Sequence, residues 1–131
     1  MPIHELTELI IKLSIKIHKK IGPGCFEKVY EEILYYELVK LGIPVVRQQL
    51  MSIDYEELHI KNAYKLDLLI DNKLITEIKS VWPLPPVYFN QLQTHLTLSD
   101  LKHGMILNFK VPLMKDGIHR IYNNKGREER I

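Results

Sequence analysis

Asp67, Glu77 and Lys79 are the residues of this chain whose types and spacing could do chemistry. Residues 64–70 and 74–80 are short apolar runs, and the polar trio Asp71-Asn72-Lys73 between them has the Asx turn chemistry that joins strands. With a three-residue loop Ile70 pairs with Leu74, and counting back along both strands puts Asp67 opposite Glu77. Opposed side chains of this kind have Cβ atoms roughly 5 Å apart on one face. Lys79 lies two residues beyond Glu77 and projects from that same face. A loop one residue shorter would shift the register and turn Asp67 to the other side, so the constellation depends on the turn length.

Two carboxylates beside an ammonium suit metal-assisted phosphodiester hydrolysis. Mg²⁺, or Mn²⁺ in its place, takes oxygen ligands, and Mg²⁺ is usually held by one or two carboxylates plus waters and substrate phosphate. Asp67 and Glu77 could supply those carboxylates, while Lys79 could orient the nucleophile or steady the charge growing on phosphate. A surface hairpin with exposed ion pairs worth less than about 1 kcal/mol competes with this reading. So does a structural pairing of Lys79 with the two acids. Against the surface reading, Leu66, Leu68, Leu69, Ile70, Leu74, Ile75 and Ile78 are apolar on both faces, the pattern of strands buried on two sides. Ionisable groups in such a sheet must be neutralised, paired or metal-bound.

The elements that must position these residues follow from periodicity. Ile3, Leu6, Ile10, Leu13, Ile17 and Ile21 recur at helical steps and predict an amphipathic first helix that ends at Gly22-Pro23-Gly24. Gly24 is expected to shape the turn into a second helix, from near Phe26 to Gly42. Glu27 lies in the first turn of that helix, where an acid complements the helix dipole or serves as a further acid of the site. A strand over residues 43–53, a turn over 54–57 and a strand over 59–70 lead into the Asp67 hairpin. A third helix over 87–98 follows the proline-rich bend after Trp82, then strands over 101–109 and 117–122. A strand returning after the third helix implies a crossover and a mixed sheet with helices packed over it. Trp82 is expected to cover the edge of the core, with stacking on a base as its other use.

Two strings resemble a known family. Asp67 followed by Glu77-Ile78-Lys79 resembles the Asp, then Glu-x-Lys signature of the PD-(D/E)XK nuclease superfamily. Gly24-Cys25-Phe26-Glu27-Lys28-Val29-Tyr30 is similar to the Gly-x-x-Glu-x-x-Tyr string of its GxxExxY branch. The residue before Asp67 is Leu66 where the superfamily name has Pro. His95 stands where some related nucleases carry Tyr in a Gln-x-x-x-Tyr string that starts here at Gln91. The resemblance implies an α+β, restriction-endonuclease-like core with a mixed sheet of four to five strands flanked by three helices. It also implies a divalent-metal nuclease in which Asp67, Glu77 and Glu27 hold Mg²⁺, with Lys79 and Gln91 completing the catalytic set. The expected substrate is nucleic acid, DNA ahead of RNA. The alternative is a binding module that keeps the nuclease fold without catalysis.

A chain of 131 residues fits one domain, expected over 1–122 with a flexible tail over 123–131. A net charge of +2 is too small to advertise nucleic acid by itself. The lone Cys25 excludes an internal disulfide, no signal peptide or membrane span is legible, and the cytoplasm is the expected compartment. The histidines show no close ligand spacing, which argues against zinc. Oligomerisation or a larger assembly could supply the substrate grip that a single small domain lacks.

Overall fold

Apolar side chains at three- and four-residue steps build the first helix, α1, which spans Ile3–Ile21 and buries Leu6, Ile10, Leu13 and Ile17. The structure, a computed structural model, describes residues 1–124. Gly22 ends α1 with φ 84°, a backbone that L residues rarely adopt. Gly24, expected to shape this turn, is not left-handed and has no atom within 4 Å of where a Cβ would sit, so the turn rests on Gly22. The second helix, α2, is Glu27–Lys40. Tyr30 from its first turn stacks on Phe109 at 4.2 Å between ring centroids. Its hydroxyl donates to the Gly22 carbonyl (2.6 Å) and accepts from the Cys25 N–H (3.0 Å), which ties the interhelix turn to the core.

Five strands follow, interrupted by one helix: β1 Val45–Tyr55, β2 Leu58–Ile70, β3 Leu74–Lys79, α3 Val87–Ser99, β4 His103–Asn108 and β5 Ile118–Tyr122. They form one sheet in the order β1-β2-β3-β4-β5. Only β3 and β4 run parallel, because α3 carries the chain across the sheet between them. The α+β mixed sheet with three helices is the expected one. α1 and α2 cover one face, over Leu68, Ile70, Leu74, Ile78, Met105 and Leu107, and α3 covers the other, over Leu66, Ile75 and Ile106. β3 is therefore buried on both faces, with Leu74 and Ile78 under α1 and α2 and Ile75 under α3.

The first hairpin extends further than its sequence suggests. β1 runs to Tyr55 and not Ile53, since Tyr55 pairs with Leu58 and the Asp54 carboxylate meets His59 Nδ1 at 2.5 Å across the ladder, leaving Glu56 and Glu57 as the turn. A short 3-10 helix, Met114–Gly117, was not legible in the sequence; it buries Met114 under the sheet and brings Gly117 against the backbone of Asn108. Among the described residues, no helix is long and apolar enough to cross a membrane. Residues 125–131, within the expected tail, lie outside the described residues.

A Cβ on Gly117 would sit 1.9 Å from the Asn108 carbonyl oxygen, a contact that only backbone movement relieves. Gly117→Ala is expected to lower stability in urea unfolding by about 2 kcal/mol or more. Gly24→Ala, with open space around it, is expected to change it by less than about 0.5 kcal/mol.

Candidate active site

The register that creates the site is the one the turn length requires. Ile70 faces Leu74, Leu69 faces Ile75 and Leu68 faces Thr76, with Asp71 and Asn72 taking the left-handed conformations (φ 52° and 55°) that short polar side chains tolerate. Pairing stops one step before Asp67 and Glu77. There the Asp67 carboxylate replaces the missing backbone partner, its Oδ2 accepting from the Ile78 N–H at 2.9 Å. On the other edge of β2, Arg47 pairs with Leu68 and Gln49 with Leu66, but Gln48 and Asp67 do not pair, and Gln48 has φ 51°. Asp67 therefore lies at a break in both ladders.

Glu77 is 7 % exposed and its Oε1 has no hydrogen-bond partner. Burial pushes its carboxyl up to about 7 from an ordinary 4.5, and the neighbouring Asp67 carboxylate adds to the rise while His95 opposes it. His95 Nδ1 lies 3.8 Å from Glu77 Oε1, close enough to attract and too far for a hydrogen bond. That nitrogen and the hydroxyl of Tyr64, whose ring stacks on His95 at 4.8 Å, are also buried without partners. Two unsatisfied polar atoms 3.8 Å apart, Glu77 Oε1 and His95 Nδ1, are unusual in a folded protein and mark a place that a water or ion completes.

Lys79 ends β3 on the α3 side of the sheet, with its Nζ 4.1 Å from the centre of the Tyr88 ring. No carboxylate lies within ion-pair distance of it among the described residues, so the structural pairing with both acids is not what holds it. The ring steadies the ammonium without neutralising it. Gln91 lies on α3 between Tyr88 and His95, exposed and without a side-chain hydrogen bond among the described residues. Trp82, expected over the edge of the core, is instead 67 % exposed; the bend at Pro83-Leu84-Pro85 turns inward through Leu84, which packs on the α3 core in its place.

Glu27 stands across from Asp67. Both line a cleft of about 410 Å³ with Lys28, Glu31, Arg47, Gln48 and Lys65, and Glu27 Oε2 accepts from the Ser80 N–H (3.3 Å) just past Lys79. Sequence reasoning missed Glu31, one helical turn beyond Glu27 and 6 % exposed. Arg47 donates to its Oε2 through Nε and Nη2 (3.3 and 3.2 Å), and Gln48 donates to its Oε1 at 2.6 Å. Glu31 thus clamps the left-handed residue that breaks the β1–β2 ladder at Asp67. Such a backbone costs on the order of 1–3 kcal/mol and persists only where neighbours over-determine it. The available signal was the polar triplet Arg47-Gln48-Gln49 between the apolar pairs Val45-Val46 and Leu50-Met51.

Among the described residues no group of three or more His, Cys, Asp or Glu side chains gathers closely enough to hold a metal alone. The donor set present, one carboxylate at a ladder break held through Oδ2 by the Ile78 N–H and one buried carboxylate with an unpartnered oxygen, fits a hard cation that keeps waters and takes further oxygens from its substrate.

The chain belongs to the PD-(D/E)XK nuclease superfamily, whose family model matches residues 4–121. No curated protein and no solved structure matches it. The mixed five-stranded sheet with three helices is accordingly of the restriction-endonuclease-like kind.

Glu77 makes metal-free stability depend on pH. The unfolded chain loses this proton near pH 4.5 and the folded one near 7, so stability falls as pH rises through that window and the full penalty, about 3 kcal/mol, applies above it. Glu77→Gln is expected to match the parent at pH 4 and exceed it by up to about 3 kcal/mol at pH 8 in metal-free urea unfolding. Arg47→Met is expected to cost about 3 kcal/mol in the same measurement, because it strands the Glu31 carboxylate in the interior.

Proposed function

We propose that this domain is a Mg²⁺-dependent nuclease that hydrolyses phosphodiester bonds in nucleic acid, DNA ahead of RNA, and that it represents the GxxExxY branch of its superfamily. One observation carries the reading: Glu77, a buried carboxyl whose Oε1 has no hydrogen-bond partner, is set beside a second carboxylate and, among the described residues, meets no cation nearer than His95 Nδ1 at 3.8 Å. Membership of the superfamily and the Gly24, Glu27 and Tyr30 string support it.

Asp67 and Glu77 would hold the ion, with Glu27 as the further acid on the cleft wall. When bound, the cation lowers the pKa of water and offsets charge on the phosphate. The chain's own groups do the positioning. Lys79, held over Tyr88 with its N–H donors unspent, orients the attacking water. Gln91, exposed on the helix beside it, donates to a phosphate oxygen, and the apolar walls of Leu66 and Leu92 keep bulk water from the inner side. The Asp67 carboxylate is held in place by the Ile78 N–H, and the Glu31 clamp maintains the ladder break that aims it.

The test is cleavage of labelled single- and double-stranded DNA and RNA with Mg²⁺ or Mn²⁺, together with thermal unfolding of the same proteins over a Mn²⁺ titration. The parent is expected to cut DNA and to gain stability with Mn²⁺ in the saturable manner of a ligand that binds only the folded state. Asp67→Asn is expected to lose both properties. Lys79→Ala is expected to retain the metal stabilisation and to lose about 100-fold or more in cleavage rate. Equal cutting by all three proteins, or no Mn²⁺-dependent shift in the parent, would leave a binding module with a nuclease fold.

A further inference from the structure

Two aromatic side chains next to the site have no structural task. Phe26 is 85 % exposed and occupies the N-cap position of α2 without making a cap hydrogen bond. That position ordinarily goes to Ser, Thr, Asp or Asn, which satisfy the first N–H groups of a helix. Trp82 is 67 % exposed and makes no hydrogen bond or ring contact among the described residues. The other two phenylalanines are employed, Phe109 under Tyr30 and Phe89 edge-on to His119.

The segments that carry both idle rings meet at one junction. Ser80, the residue after Lys79, donates from Oγ to the Cys25 carbonyl (2.9 Å) and from its N–H to Glu27 Oε2 (3.3 Å), so it bridges the residues on either side of Phe26. Trp82 follows two residues later. Its neighbour Val81 is anchored at both backbone groups by Asn108, which accepts from the N–H at 3.2 Å and donates to the carbonyl at 2.8 Å. A cleft of about 490 Å³ opens here, with Phe26, Glu27, Lys28, Ser80 and Lys110 in its walls. Neither Lys28 nor Lys110 makes an ion pair among the described residues. Glu27 also lines the cleft that holds Asp67, so the two clefts adjoin.

We infer that this second cleft binds single-stranded nucleic acid next to the Asp67–Glu77 site, with an unpaired base stacked on Phe26 in its wall, a neighbouring base on Trp82 in the segment that leaves the cleft at Ser80, and backbone phosphates met by Lys28 and Lys110. Exposed aromatic faces flanked by unpaired cations form the platform that single strands use, because every base offers a π-face once it is unstacked. A duplex keeps those faces covered. The inference rests on the nuclease reading for its location and selects a substrate class within it: single strands, overhangs or frayed ends.

Trp82 is the only tryptophan of the chain, so its fluorescence reports directly on the platform. The intact protein would be titrated in EDTA, where no hydrolysis occurs, with an oligothymidylate of about 12 nucleotides and with a blunt duplex of equal length. The single strand is expected to quench Trp82 and the duplex to leave it unchanged. Affinities of Phe26→Ala and Trp82→Ala, read from anisotropy of a labelled strand, are expected to fall about 10-fold each, with circular dichroism unchanged because both rings are exposed. Lys28→Ala with Lys110→Ala is expected to flatten the salt dependence. Quenching in a protein that cuts nothing would retain this platform while the nuclease reading failed. Equal quenching by duplex, unaltered affinity in both aromatic variants, or their conversion of a dimer to monomer in sedimentation would overturn it, the last in favour of a face between copies of the chain.

Discussion

A carboxylic acid that must be buried beside another carboxylate is the constraint on which the rest of this structure depends. Glu77 cannot leave the interior, because β3 is sandwiched between two helical layers and its flanking residues are core. It is also denied the partners that ordinarily make a buried acid tolerable: Lys79 is engaged with a ring, and His95 stops short of a hydrogen bond. Burial and the adjacent Asp67 together leave the proton bound to near neutral pH. A positive guest at this point would relieve desolvation and repulsion at once, and a group so perturbed, behind an Asp67 that lines a cleft, is the ordinary signature of a working site.

The surrounding fold serves to create and maintain that arrangement. The hairpin turn sets the register, the ladder then stops, and the Asp67 side chain takes the place of a strand. Opposite it, β1 is bent out of its ladder at Gln48, and the buried Glu31 carboxylate pins that bend through three hydrogen bonds from Arg47 and Gln48. α3 supplies Tyr88 and His95 from the other layer, and its crossover makes β4 parallel to β3, so that Asn108 faces Lys79 across the ladder and braces the following loop. Destabilising features thus sit together at one place, offset by a well-packed core elsewhere.

Much of this was legible in the sequence, for reasons tied to particular residues. Asp71-Asn72-Lys73 has few ways to turn, and period-two alternation then carries the register to Glu77 and Lys79 without further information. Apolar residues on both faces of the strand, Leu74, Ile75 and Ile78, marked β3 as buried on two sides, and the crossover after the third helix implied the mixed sheet. What escaped were features fixed by tertiary contact. The Glu31 clamp joins a helix to a strand 16 residues away, and nothing local distinguishes Glu31 from the exposed Glu32 beside it. The left-handed Gln48 violates the preference of its own residue type, so no propensity argument finds it. Trp82 was misjudged because large aromatics are usually buried, and its exposure is decided by the loop that Asn108 holds. Gly22 and not Gly24 carries the positive φ, a choice that two nearby glycines leave open until the helix end is fixed.

The most direct test of the central claim is anomalous diffraction from a crystal of the parent protein soaked in Mn²⁺. An ion is expected between the carboxylates of Asp67 and Glu77, with Glu77 Oε1 among its ligands and the density absent in Asp67→Asn crystals treated identically. A parent map with no anomalous peak there at saturating Mn²⁺, or with Glu77 instead closed onto His95 by a direct hydrogen bond, would contradict it.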